Sequence, residues 1–153
     1  MIYRLEQLAT IKYGKNQKKV VSDKGSIPIY GTGGFMGTAV DYLYDKPTVL
    51  IGRKGSIEKV KYVEEPFWAV DTTFYTIINE SLIRPHFLYY KLSLFNLKKY
   101  DEGTTIPSLR ADTLKQIELD IPPLIVQDRV ISIIESIEYK IENNIEINNN
   151  LAV

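Results

Sequence analysis

Residues 122–153 read PPLIVQDRVISIIESIEYKIENNIEINNNLAV. Of the nine Gly and seven Pro in the chain, none follows Pro123. With these breakers behind it, the segment from Leu124 onward is predicted to run as one uninterrupted helix. About 28 residues at ~1.5 Å each give a rod of roughly 42 Å. Its apolar positions begin broadly, at Val126, Val130, Ile131, Ile133, Ile134 and Ile137, a stripe wide enough to touch both its own domain and another surface. They then narrow to Ile141, Ile145 and Leu151. Written as a 3-4 seam, the positions are Val130, Ile134, Ile137, Ile141, Asn144, Asn148 and Leu151. The five apolar ones would each contribute about 1.5–3 kcal/mol if fully buried. A helix this long has little reason to stay folded alone in water, so a partner is expected. Asn144 and Asn148 either fix the register of a pair or mark where it frays. Glu138, Glu142 and Glu146 repeat at i,i+4 spacing and mildly repel one another. They form either a solvated face or one that meets a basic partner, and in neither case a face that lies along DNA.

Upstream of Pro122 the pattern is short and mixed, so the boundary falls between a domain at 1–121 and a helical segment at 122–153. Ile27–Tyr30 reads as a strand leading into a glycine-rich loop, Gly31–Gly37. Thr48–Ile51 and Ile57–Val63 flank Gly52-Arg53-Lys54-Gly55 like a hairpin with a basic turn, and Thr72–Ile78 is a further β-branched, aromatic run. Pro85 is predicted to open a helix reaching about Tyr100, with Leu88, Leu92 and Phe95 on its buried face. A helical turn near Arg110–Gln116 and a strand at Ile117–Ile121 close the domain. Strands and helices that do not alternate regularly indicate an α+β fold.

Nineteen basic and nineteen acidic residues cancel to zero net charge, yet the charges are sorted along the chain. Residues 1–60 carry ten basic and five acidic side chains, whereas 116–153 carry two basic and seven acidic. Such asymmetry points to two parts with different partners. The absence of cysteine removes disulfides, thiol chemistry and Cys-based zinc sites. A single histidine, His86, removes a His-rich metal site and reads as a solvent-facing helix residue. No apolar run has membrane-spanning length and the amino terminus lacks a signal-peptide core, so a cytoplasmic location is expected.

The motifs that suggest chemistry fail on spacing. After Gly31 and Gly33, the third glycine of a GxGxxG would fall at Met36, and no helix start follows. Gly52–Ser56 lacks the first glycine of a P-loop. It nevertheless puts two cations on a glycine-flanked turn, and Lys12, Lys15, Lys18, Lys19 and Lys24 add a basic stretch. These basic loops either keep the protein soluble or contact phosphates, in which case affinity falls steeply with salt. The glycine loop around Thr32 has the same two readings: a tight turn, or a backbone approaching a phosphate chain. No GxSxG occurs, no acid stands near His86 in sequence, and Glu64-Glu65 and Asp101-Glu102 flank turns. No Asn/Asp-Pro-Pro-aromatic methyltransferase motif occurs. The residues therefore read as non-catalytic.

Taken in order, GSIPIYGTGGFMGTA (25–39), TVLIGRKGSIEKVKYVEEPFWAVDTTFY (48–75), GTTIPSLRADTLKQIELDIPPLIVQ (103–127) and the closing helix resemble the specificity subunit of Type I restriction-modification systems. The match covers one target-recognition domain followed by one helical spacer. The resemblance implies a non-catalytic subunit that reads DNA sequence and directs partner methyltransferase subunits, with a restriction subunit as a further possible partner, to a bipartite site. S-adenosylmethionine would belong to the methyltransferase, and no cofactor is expected here. Gly31, Gly33, Gly34, the Gly52–Gly55 run and Gly103–Leu109 match motifs shared across the family. Because targets differ among members, shared motifs shape the domain or contact backbone rather than choose bases. Lys15, Lys18, Lys19, Thr32, Arg53, Lys54, Thr104, Thr105 and Arg110 are the candidate DNA-binding residues, with structural hydrogen bonding as the alternative for several. Ile106, Pro107 and Leu109 are expected to pack in the core.

A typical specificity subunit carries two recognition domains and two spacers, and this chain has one of each. The expectation is a half-subunit that pairs with itself through antiparallel helices and reads two inverted half-sites. A fragment of a longer protein is the alternative. A second class of function is an interaction or regulatory fragment that binds specificity or methyltransferase subunits without reading DNA, and a nuclease or other hydrolase is the third and weakest.

Overall fold

The computed structural model describes residues 1–151 and contains nine strands and four α-helices among them. Strand β1 (Ile2–Arg4) passes through a single helical turn, α1 (Leu5–Leu8), into β2 (Ala9–Tyr13). Leu5 and Leu8, one turn apart, are both fully buried, which explains why this short helix forms at all. Strands β3 (Ile27–Gly31) and β4 (Gly34–Ala39) make a hairpin, followed by β5 (Thr48–Gly52), β6 (Val60–Val63), β7 (Trp68–Ala69) and β8 (Thr73–Ile78). Helix α2 (Pro85–Ser93), α3 (Ala111–Lys115), β9 (Glu118–Asp120) and α4 (Leu124–Leu151) complete the chain.

Strands β2, β8, β5 and β6 form an antiparallel sheet in that order. A second sheet, β4-β3-β7, lies against one of its faces, and β1 pairs with β9. Every residue of β5 is buried, because the strand is covered on both faces. One face meets α1, α2 and α3 through Val49, Ile51, Phe74, Phe87, Leu88 and Leu114. The other meets the second sheet through Leu50, Tyr30, Phe67 and Ala69. Backbone pairing between β5 and β8 covers only two registers, Ile51 with Phe74 and Gly52 with Thr73. Beyond them the Thr48 and Thr76 hydroxyls replace backbone partners: Thr48 Oγ1 accepts the Thr76 amide at 2.9 Å and Thr76 Oγ1 accepts the Val49 amide at 2.9 Å.

The fold is α+β with a long closing helix, as the pattern predicts. Three local expectations change. Residues 34–39 form a strand, so the glycine-rich stretch is a hairpin rather than a loop, with Gly34 and Gly37 at positive φ. Helix α2 stops at Ser93 and a 3-10 turn follows at Leu97–Tyr100. A continuous helix would place Leu97 roughly half a turn away from Leu88; the break lets both be fully buried. Strands β1 and β7, three and two residues long, are too short to carry a period-2 pattern, and β2, which alternates as ATIKY, adds to the expected strands. No helix among the described residues is long and apolar enough to cross a membrane.

Candidate nucleic-acid interface

The ends of β2 and β5 and the start of β8 coincide, because Tyr13 pairs with Phe74 and Gly52 with Thr73. The β3–β4 turn reaches the same end, since Val70 donates to the Tyr30 carbonyl and Tyr30 pairs with Ala69. Five segments distant in sequence are thereby gathered: 13–15, 31–34, 52–55, 70–72 and 103–109. The last two glycine-containing motifs are stitched together directly. Gly55 donates to the Pro107 carbonyl at 2.9 Å, Leu109 donates to the Arg53 carbonyl at 2.9 Å, and Lys54 and Ser108 form an isolated bridge. Gly55 has φ +89°, which explains glycine at the end of this turn. At Gly103 a Cβ would run into the Ile106 carbonyl.

Arg53 is held in place at this end. Its Nη1 donates to the Asp71 carbonyl at 2.8 Å, and its guanidinium carbon sits 5.1 Å from the centroid of the Tyr13 ring. Tyr13 in turn packs edge-on against Phe74, with centroids 5.1 Å apart. An arginine pinned in this way loses little freedom on meeting a phosphate or a base edge. Thr32 lies within 3.8 Å of where a Gly55 side chain would start, so the hairpin turn adjoins the Arg53-Lys54 turn. Lys15 is exposed, with its backbone fixed by an amide bond to the Ala69 carbonyl and a carbonyl bond from Trp68 Nε1, both 2.8 Å. Among the described residues no carboxylate lies within ion-pair distance of Lys15, Arg53 or Lys54.

The remaining candidates separate. Thr104 and Thr105 are exposed on the 103–109 loop beside Lys54. Arg110 adjoins that loop, but its Nε is 3.1 Å from Glu102 Oε2, so its charge is partly neutralised. Lys18 and Lys19 sit in the turn ahead of Val20 and Val21, which bond to the far end of the β3–β4 hairpin. The structure therefore does not bring them together with Thr32. Of the three residues expected in the core, Leu109 is buried, whereas Ile106 is 59% exposed and Pro107 is also exposed. The loop is closed instead by Asp101, whose Oδ1 accepts the Gly103 and Ser108 amides at 2.8 and 2.9 Å. These two amides, the Ser108 bond first, hold its carboxyl below the usual aspartate range. Asp101-x-Gly is a recognisable Asx-turn signal, and it would have pointed to this role.

At the other side of the domain, α4 is docked rather than merely attached. Gln127, fully buried, accepts the Arg84 amide at 2.8 Å and donates to the carbonyls of Leu82 and Pro122 at 2.9 and 2.8 Å. Arg84 makes a two-point pair with Asp128, at 2.7 and 3.1 Å. His86 is half-buried rather than solvent-facing. Its ring lies 3.9 Å from that of Tyr62, and Nδ1 lies 3.5 Å from Glu135. Glu138 accepts the Tyr90 hydroxyl at 3.2 Å, so it is occupied by its own domain rather than left on a free acidic stripe. Burial, and secondarily Glu138, pushes the Tyr90 hydroxyl up to about 12. In the seam, Val130 packs on the domain core and Ile134 is half-buried. Ile137, Ile141, Asn144, Asn148 and Leu151 remain exposed. Ala152 and Val153, the end of the expected spacer, lie outside the described residues.

Comparison with known proteins bears on this arrangement. The family model for the Type I restriction modification DNA specificity domain matches residues 1–152. The chain is 26% identical over 141 residues to a protein described as a type I restriction enzyme specificity subunit of Haemophilus influenzae. It is 25% identical over 144 residues to one described as a type I specificity subunit of Mycoplasma pneumoniae. It covers 36% and 47% of these relatives, and they cover 87% and 89% of it. Among solved structures, the Type I restriction-modification S subunit from M. genitalium aligns over 94% of this chain and 40% of its own, with a TM-score of 0.81 at 19% identity. The HsdS subunit from Thermoanaerobacter tengcongensis aligns over 94% of this chain and 38% of its own, with a TM-score of 0.64 at 14% identity. The chain thus spans between about a third and a half of the length of these proteins.

Proposed function

Because the chain belongs to the Type I restriction modification DNA specificity domain family, we propose that it reads one half-site of a bipartite DNA target and presents it to partner methyltransferase subunits. The observation that carries this reading is the meeting of Arg53, Lys54, Lys15 and Thr32 with the 103–109 loop at one end of the sheets. An unneutralised cationic surface bounded by exposed hydroxyls suits phosphate contacts that set register, with base readout by neighbouring polar groups. The chain performs no chemistry in this reading. S-adenosylmethionine and the transferred methyl group belong to the methyltransferase, and a restriction subunit joins the same assembly in the cytoplasm.

The exposed Ile137, Ile141 and Leu151 on α4 support a seam for a second helix. A second copy placed antiparallel gives a two-fold pair and two inverted half-sites. Co-expression with a cognate methyltransferase, followed by genome-wide mapping of methylated adenines, tests the whole reading. The expected result is one interrupted motif with inverted repeats. An asymmetric motif would overturn the self-paired arrangement, and no new methylation would overturn the DNA-directing role.

A further inference from the structure

A cleft of about 650 Å³ opens beside the edge strand β6. Alternation along β6 directs its side chains to two sides of that edge. Lys61 points toward the β3–β4 hairpin, with its Nζ 5.1 Å from the Tyr30 ring centroid. Tyr62 points toward α2, its ring centroid 3.9 Å from that of His86 with the planes tilted by 34°. One rim of the cleft is the glycine turn Gly31–Gly34, where a Cβ at Gly33 or Gly34 would meet nothing within 4 Å. Another part of the lining is aromatic, with Tyr62, His86, Tyr89 and Tyr90 linked by the ring pairs Tyr62–His86, Tyr62–Tyr89, His86–Tyr90 and Tyr89–Tyr90. Thr73 lines the cleft and is only 1% exposed. Its Oγ1 is the buried side-chain polar atom left without a hydrogen-bond partner among the described residues.

A buried hydroxyl without a partner is costly, and in native proteins such a group calls for an explanation, whether an ordered water, an ion or a functional role. Around it the cleft, with Glu58 and Glu138 also on the lining, joins the Lys61 ammonium group, an open glycine turn and a cluster of mostly tilted aromatic rings. That set matches the two ends of one kind of molecule, an anionic phosphate and a flat, polar aromatic base. We propose that this cleft binds a single nucleotide. The base stacks on the Tyr62–His86–Tyr89 wall, the phosphate lies toward Lys61 and the Gly31–Gly34 turn, and Thr73 Oγ1 hydrogen-bonds to the nucleotide at the floor. The site adjoins the DNA face through Thr32 and Gly52 but uses different residues from Arg53 and Lys54. The nucleotide is either free in solution or one swung out of a duplex held on that face. The second source alone rests on the DNA-reading function.

Isothermal titration of the full chain with each deoxynucleoside monophosphate tests the site directly. Saturable binding in the millimolar range or tighter is expected. Thr73→Val, which keeps the shape and removes the hydroxyl, should weaken it about fivefold. Lys61→Gln, at an exposed position, should weaken it several-fold and flatten its salt dependence. Circular dichroism melts of both variants exclude unfolding as the cause. Duplexes carrying 2-aminopurine at successive positions separate the sources. A fluorescence rise that added mononucleotide competes away identifies a swung-out base, and mononucleotide binding without that rise identifies a free ligand. No saturable mononucleotide binding, or equal affinity in wild type and both variants, overturns the site. Duplex binding is scored separately by mobility shift. Loss of duplex binding with mononucleotide binding intact would count against the DNA-reading function and leave the cleft standing.

Discussion

The Gln127 side-chain carbonyl accepts the Arg84 backbone amide at 2.8 Å, joining the first turns of α4 and α2. Its amide nitrogen holds two further carbonyls, Leu82 and Pro122. One buried side chain therefore satisfies three backbone groups at the place where the domain becomes a helix. Gln127→Leu has similar bulk but leaves all three without a partner. It is expected to lower unfolding free energy by about 1–3 kcal/mol for each group that water cannot reach. Urea denaturation of the purified chain provides the measurement, and unchanged stability would refute the joint's importance.

Arg53 should be intolerant of lysine. Lysine keeps the charge but loses the planar guanidinium that stacks on Tyr13 while donating to Asp71. Fluorescence anisotropy with labelled target duplex should show about tenfold weaker binding for Arg53→Ala, a loss of the size typical of a charge-assisted contact. Arg53→Lys should recover only part of that loss. The slope of log affinity against log salt should fall by about one for Arg53→Ala if the contact is to phosphate. An unchanged slope would reassign Arg53 to another role.

Asp101 should govern the shape of the 103–109 loop. Its carboxylate is stabilised by the Ser108 and Gly103 amides, so its folded-state value lies below its unfolded one. The stabilisation is present above the ordinary aspartate value of about 3.9 and is lost as pH falls through the lower folded-state value. Asp128, held down by Arg84, follows the same sign. Carboxyl NMR titration should find both aspartates below the ordinary range. Asp101→Ala should speed amide exchange at Gly103 and Ser108 even at neutral pH.

Ile137 and Ile141 contribute exposed apolar surface and, unlike Val130, are not packed on the domain core. If the chain pairs through this helix as proposed, wild type should self-associate in sedimentation equilibrium, and replacing both with glutamate should abolish that while leaving the thermal unfolding of the domain unchanged. Persistence of the dimer would place the pairing surface elsewhere.

Local patterns identified the long helix, the β5–β6 hairpin and strand β8, because their periodicity and breakers lie within a few residues of one another. They also singled out Arg53 and Lys54 as candidates, since paired cations between glycines form a compact signal. They missed Tyr13, Asp101 and Gln127. Gln127 stood out only as one amide inside an apolar stripe, and its partners lie 43 and 45 residues upstream as well as five. The cationic face itself was invisible as a unit, because strand register rather than chain order brings its segments together.

Chain order alone therefore distinguished a basic, mixed domain from an acidic closing helix. Those are properties of composition and short-range periodicity, and they survive in any conformation. Which charges remain available depended on packing across the fold. Glu102 partly neutralises Arg110, and Glu138 is occupied by Tyr90, while among the described residues no carboxylate lies within ion-pair distance of Lys15, Arg53 or Lys54. Electrostatic pairing falls off over a few ångströms, and those distances exist only once remote strands have been brought into register.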